Sequence, residues 1–528
     1  MSFHWAGRRG RSHQRGHRTG VVGISLALAA ALALSACGSS TATSSASSSD
    51  SGAPQVLNVG RAYDLDSLDP HKTVGGSVSC QILCSIYDRL VDVAPDGSLA
   101  PGVADSWKFS DDGLTLTLNL HKGITFSDGT ALDASAVKAS LDRARTMEGS
   151  PVKADLASIA DVVVVDPQTV NVTLTEPNSS LPGRFAALGG TIVNPTAIKN
   201  GTDLSKASDG SGPFEVVSFT AGSGVKLKAR EGYWGAKPAL QDLNFSFITD
   251  QAALTNALLA GQLDIAQVPP QNLAAFQGND QFKVEDTQST SYVTIIVNWQ
   301  LAGLTDVRAR QALLYAIDRE KICKDLQQGY CELTDQPYPA GYAANDGSID
   351  QVLYPYDPEK AKALLAQAGI TNLTLTSMQW EEALTPVMQA VQEYWKAVGV
   401  NVDLQVVDAK TMVAKVLTDK TVMLAPNTTN GDAEPSRRLS TLFMDGGFAN
   451  PGPVTTDKLK DLYAQITTET DPAARTKLLQ AASREIAEQA QGVVLYDVRP
   501  VYVMKQGVNV DFDLSGPLPS FDGASFPQ

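Results

Sequence analysis

The stretch from Val21 to Ala36 constrains this chain most, because it decides the compartment in which everything after it folds. Five arginines and no acid precede it, the run is apolar, and small residues Ser35 and Ala36 lead directly to Cys37. A helix crossing the roughly 30 Å of bilayer hydrocarbon needs about twenty apolar residues, and this run stops short before a polar tract. It therefore reads as a secretory signal over residues 1–36, and the remainder as an exported body.

The junction Leu34-Ser35-Ala36-Cys37 resembles the lipobox of bacterial lipoproteins, which implies cleavage before Cys37 and lipidation of its sulfur. Residues 37–53 continue as a Ser/Thr/Ala tether with too little apolar bulk to offset the entropy of ordering. The expected location is the outer face of the cell membrane, held by the lipid anchor. Removing 36 of 528 residues leaves 492, enough for about three domains. The five arginines lost with the signal take the net charge from −15 to −20, which argues against nucleic acid as a partner.

Four cysteines remain after Cys37: Cys80, Cys84, Cys323 and Cys331. Gly329 supplies a turn between Cys323 and Cys331, so a local bridge is expected there. Cys80 and Cys84 are spaced i, i+4 on a helical pattern, where the Cβ vectors run nearly parallel, and their state stays open. The spacings lack paired C-x-x-C, so no metal or other cofactor is expected.

Helical spacing runs through Ile82, Leu83, Ile86 and Leu90 and is expected to stop at Pro95-Asp96-Gly97. Leu114, Leu116, Leu118 and Leu120 alternate as a half-buried strand. Asp133, Asp306 and Asp357 each precede a helical pattern as N-caps, the last with Pro358 at the first helical position and Gly369 past the end. Strand and helix patterns alternate throughout, an α/β reading. Ser135 and Lys138 form an S-x-x-K on a helix, but neither S-D-N nor K-T-G accompanies it, and G-x-S-x-G and H-E-x-x-H are lacking. A secreted hydrolase is the alternative class; no enzyme activity is expected.

A series of short motifs carries a resemblance. Pro101, Ala104, Ser106-Trp107, Asp112-Gly113, Lys122-Gly123, Phe126 and Asp128-Gly129-Thr130 follow Leu68-Asp69-Pro70-His71. Gly212-Pro213-Phe214, Tyr233-Trp234-Gly235, Leu259-Ala260-Gly261, Asp306-Val307-Arg308 and Ala316-Ile317-Asp318-Arg319 come later, in fixed order. Together they resemble the family 5 extracellular solute-binding proteins, the dipeptide, oligopeptide and nickel receptors of ABC importers. The resemblance implies a two-lobed, type II periplasmic-binding-protein-like α/β fold with an extra domain and a ligand cleft between lobes that close by hinge motion. Domain I would take residues 54–97, 191–287 and 494–528, domain II residues 98–190, and domain III residues 288–493.

It also implies a monomer that captures an oligopeptide, or in the alternative an oligosaccharide, and delivers it to permease and ATPase subunits. Glu434-Pro435 matches an acidic-Pro pair that in peptide-binding relatives follows an aspartate gripping the ligand's ammonium, which assigns that grip to Asp432. Ala425-Pro426 stands where those relatives carry Gly-Trp. Position in the family pattern adds Trp380, Tyr292, Asn298 and Trp299, and the loop residues Thr73, Gly75 and Ser77. Arg437 and Arg438 are candidates for a ligand carboxylate.

Overall fold

A computed structural model describes residues 55–431, 433–512, 514 and 519–526; the signal, Cys37, the tether and Asp432 lie outside the described residues. Three sheets organise the chain. The first runs, edge to edge, Phe282–Asp286, Val501–Lys505, Ile265–Gln267, Val56–Arg61, Asp242–Phe247, Gly224–Ala229 and Phe214–Thr220. Its three central strands are parallel, the rest antiparallel. The second runs Cys331–Glu332, Val493–Val498, Tyr292–Val297, Leu424–Thr429, Leu373–Gln379 and Val400–Val406. The third is a four-stranded antiparallel sheet, Ala104–Phe109, Thr115–Leu120, Thr169–Leu174 and Ile159–Asp166.

Burial explains the grouping. Leu57 and Val59 of the first sheet share one continuous core with Leu116, Leu118, Val170 and Val172 of the third, and the helix Ala134–Thr146 closes it with Val137 and Leu141. The second sheet has its own core, built on Val293, Ile295, Leu375, Leu424 and Leu495 and filled by Trp395 of the helix Thr385–Lys396. These two largest cores, one under the first and third sheets and one under the second, are the physical basis of two lobes.

Local signals act as their chemistry dictates. Asp133 accepts from the backbone N–H groups of Ser135 and Ala136, Asp306 from Arg308, and Asp357 from Lys360. One boundary differs: the helix that starts at Gly76 ends at Ile86, not near Pro95, and Val91–Val93 is a strand paired with Leu99–Pro101. Buried Asp88 draws the chain away, accepting from Trp234 Nε1 at 2.8 Å and Tyr233 Oη at 3.1 Å. Cys323 is bonded to Cys331, and Cys80 to Cys84 within the helix, with Cα separations of 5.9 and 4.9 Å. Among the described residues no helix is long and apolar enough to cross a membrane.

The chain passes between the first and second sheets in two segments that run side by side. Phe282–Asp286 pairs with Val501–Lys505 in the first sheet, and Tyr292–Val297 with Val493–Val498 in the second. Between them Thr287 N–H donates to Pro500 O at 3.1 Å, Val498 N–H to Ser291 O at 2.8 Å and Ser289 Oγ to Val498 O at 2.9 Å. Arg499 Nε meets Asp286 Oδ2 at 2.6 Å. The crossing is thus a bonded two-strand ribbon.

Candidate functional site

In open α/β sheets the carboxyl ends of parallel strands are where ligands gather, because the chain turns away there and leaves a crevice. In the second sheet Leu373–Gln379 and Leu424–Thr429 are parallel, with Ser377 opposite Leu424. That register brings Glu381, just past the first strand, level with Thr428 near the end of the second. Thr428 holds the carboxylate twice: its N–H donates to Oε1 at 3.0 Å and its hydroxyl to Oε2 at 2.8 Å. Among the described residues no lysine or arginine pairs with Glu381, and partial burial raises its pKa above the ordinary glutamate value despite both bonds from Thr428.

Tyr63 reaches this region from the other lobe, two residues beyond the strand Val56–Arg61. Burial raises the pKa of its phenol and the charge of Glu381 raises it further, yet its side chain remains 58% exposed. Tyr496, on the strand Val493–Val498, likewise has its phenol raised by burial and then by Glu381. Among the described residues neither the Tyr63 nor the Tyr496 hydroxyl makes a hydrogen bond. Both stay protonated at neutral pH and can donate or accept.

The sequence-predicted residues divide around this point. Tyr292 is at the same end of the second sheet, opposite Thr429, but it is 1% exposed and its ring carries the Arg438 guanidinium at 4.6 Å. Arg438 is itself buried, stacked also on Tyr338 at 5.1 Å and donating to the carbonyls of Pro337 and Thr290. It braces the wall from behind, which corrects the expectation that it faces a ligand carboxylate. Arg437 pairs with Asp155 at 3.5 Å.

Asn298 and Trp299 follow the opposite end of the strand Tyr292–Val297 and are taken up by packing. Asn298 donates to Lys420 O at 3.1 Å and accepts from Leu301 N–H at 3.0 Å, while Trp299 Nε1 donates to Gln491 O at 3.3 Å. The structure does not bring them to Glu381. Trp380 does adjoin it; its ring packs on the cluster of Ile296, Met412 and Val416, and its indole N–H is buried without a partner.

On the first lobe, Arg61 Nη2 donates to Val78 O at 2.6 Å and so ties the strand leading to Tyr63 to the first turn of the helix Gly76–Ile86. The loop containing Thr73 and Gly75 is thereby placed beside Tyr63. Thr73 is buried, its hydroxyl shared with Asp66 and with Ser79 Oγ at 3.0 Å, while Gly75 is exposed. A Cβ at Gly75 would sit 2.1 Å from Ser79 Oγ, so a larger residue would displace that network. Ser77 belongs to the helix, and its side chain lies outside the description.

Near Asp432, Glu434 accepts from Ser436 N–H at 2.9 Å, capping the helix Pro435–Leu442, and from Arg475 Nη2 at 2.6 Å. Gly431 N–H donates to Ser291 Oγ at 3.0 Å, fixing this segment against the crossing. The acidic-Pro pair therefore serves the local fold. Glu381, Thr428, Tyr63 and Tyr496 were missed in the sequence. An acid directly after an apolar-alternating strand was the available signal for Glu381; nothing local marks the other three.

Lys138 of the S-x-x-K pattern meets Asp142 at 3.0 Å and Val162 O at 2.6 Å. It is a paired surface lysine and not a base beside Ser135.

Comparison with known proteins agrees with this architecture. Residues 98–450 match the model of bacterial extracellular solute-binding proteins, family 5, middle region. The glutathione-binding protein GsiB of Pectobacterium atrosepticum is 31% identical over 368 residues, 68% of this chain and 70% of that protein. Among solved structures, NikA of Brucella suis in complex with Fe(III)-EDTA superposes with a TM-score of 0.80 at 22% identity, covering 89% of this chain and 99% of its own. The ABC transporter-associated periplasmic binding protein DppA of Helicobacter pylori, in complex with the peptide STSA, gives 0.75 at 21%, covering 90% and 98%. The fold is that of the two-lobed type II periplasmic binding proteins.

Proposed function

Because the chain belongs to the bacterial extracellular solute-binding proteins of family 5, we propose that it is the lipid-anchored receptor through which an ABC importer captures a peptide or peptide-like solute. Receptors of this family bind and deliver solutes and are not enzymes. The observation that carries the reading is the half-buried Glu381 carboxylate, bonded only by Thr428 among the described residues, with the exposed Tyr63 reaching towards it from the other lobe. Polar groups so placed are costly unless something bonds them, and a captured solute does so on closure.

The peptide-like class is supported by the glutathione named for the 31%-identical relative and by the peptide held in the DppA structure. We assign domain I to residues 54–97, 191–287 and 494–528, domain II to 98–190 and domain III to 288–493, with the bonded ribbon as the hinge. Asp432 is assigned to the solute's α-ammonium, with Trp380 and the Thr73–Gly75 loop around it. Cys37 carries the lipid, which holds the receptor at the outer face of the membrane.

Mass spectrometry of solute released from the purified protein tests the reading, together with thermal shifts by glutathione and a defined peptide panel. A peptide-type solute released unchanged is the expected result. Recovery of a hydrolysed product, or of an oligosaccharide, would overturn the function or the ligand class respectively. Cys37→Ser should move the protein from the membrane fraction to the medium; unchanged fractionation would contradict the anchor.

A further inference from the structure

The environment of Glu381 says more about the solute than that it is peptide-like. An ionised carboxylate offers about four acceptor positions, and Thr428 occupies two of them from one side. The remaining positions have no donor among the described residues, and no cation lies in ion-pair reach. Across from it stands Tyr63, 58% exposed, whose hydroxyl makes no hydrogen bond among the described residues; Tyr496, on the same sheet as Glu381, is buried in the core behind it.

This combination selects by charge. An anionic or purely apolar group placed here would face a half-buried carboxylate with no compensation. An ammonium or guanidinium satisfies the open acceptor positions, and the exposed Tyr63 ring adds cation–π attraction. Arg61 is not an alternative anion site: it is 4% exposed, and its Nε and Nη1 are closed to solvent, so a solute cannot reach them in this conformation.

We propose that Glu381, held by Thr428 and faced by Tyr63, is a subsite for a basic side chain of the solute, so that this receptor selects peptide-like solutes bearing a lysine-, ornithine- or arginine-type group. The inference rests on the receptor reading above. It is separate from the α-ammonium assigned to Asp432, because every peptide carries that group and only some carry a second cation. Tyr63 and Glu381 come from opposite lobes, so a cation between them is also bound more fully in the closed form, which couples recognition to closure.

Matched tripeptides isolate the effect. Titration calorimetry of the mature chain would compare Ala-Lys-Ala with Ala-norleucine-Ala, and Ala-Arg-Ala with Ala-citrulline-Ala, where the members of each pair differ by one charge. The expected preference for the cationic member is about tenfold or more. Glu381→Gln keeps the shape and the Thr428 contact, and it should bring the ratio close to one. Asp432→Asn should weaken both members alike and leave the ratio standing.

Tyr63→Phe alters an exposed side chain, so folding is not at issue; it should lower the ratio in part, and an unchanged ratio would count against the subsite. A wild-type ratio near one, or a ratio retained in Glu381→Gln, overturns the inference while leaving the receptor reading intact. A co-purified solute without a basic group does the same. Failure to bind any tripeptide, with no solute co-purifying, overturns both.

Discussion

The two ends of the second sheet are built from the same strands and similar residue types, yet they treat polar groups in opposite ways. At the end beyond Val297, Asn298 is bonded on both sides of its amide and the Trp299 indole finds Gln491 O, with the Gln491 side chain and the Ser377 hydroxyl the exceptions in having no partner. At the Tyr292 end, the Trp380 indole, both Asp497 carboxylate oxygens and the Tyr496 hydroxyl are without partners among the described residues. Buried polar groups in folded proteins are overwhelmingly bonded, so a concentration of unbonded ones marks where the fold expects company. The far end is finished by the chain itself. The near end leaves such groups open, which is the basis for proposing that the solute completes it.

The largest expected effect on this contrast comes from Arg438. Its guanidinium lies between Tyr292 and Tyr338 and bonds two backbone carbonyls, so Arg438→Met would strand those carbonyls and remove both ring contacts. A loss on the order of 3 to 5 kcal/mol is expected by denaturant titration. A loss under about 1 kcal/mol would show that the near end is not braced from behind. At the far end, Asn298→Ala should cost about 1 to 2 kcal/mol and leave the lysine-to-norleucine ratio unchanged. A shifted ratio would place that end in the binding surface and erase the contrast.

Asp497 gives a smaller effect with a definite sign. It is 2% exposed, and burial raises its pKa well above the ordinary aspartate value, with Arg438 and Arg319 opposing and Glu332 adding to the shift. The native state therefore holds a proton that the unfolded chain releases near pH 4. Its contribution is most favourable below that pH and is lost as pH rises towards the native pKa. Asp497→Asn should then be more stable than wild type at pH 8, by about 1 kcal/mol or more, with the gap closing towards pH 4. An equal melting temperature shift at both pH values would contradict a proton held there.

The sequence disclosed the scaffold more readily than the site, for reasons visible in particular residues. Caps at Asp133, Asp306 and Asp357 act within three residues of themselves, so their chemistry is local and legible. The alternation in Leu373–Gln379 marked a strand, and its carboxyl end located Trp380 but not the neighbouring Glu381. What the pattern lacks is the partner. Tyr63 and Glu381 come from different sheets far apart in the chain, and nothing in either neighbourhood encodes the other.

Asn298 and Trp299 illustrate the converse. An amide and an indole after an apolar strand suit a cleft and a core equally, and only the carbonyls of Lys420 and Gln491 decide between them. Cys80 and Cys84 were ambiguous because helical spacing permits the approach without requiring it; the 4.9 Å separation of their Cα atoms is a property of the folded helix.

The most direct measurement is a crystal structure of the mature protein with its solute in place, whether co-purified or one of the cationic tripeptides. The account predicts density between the lobes, a basic nitrogen within hydrogen-bond distance of the Glu381 carboxylate, and the Tyr63 hydroxyl drawn onto the same ligand. A solute seated instead against Asn298 and Trp299, or one that leaves Glu381 bonded only to Thr428, would contradict it.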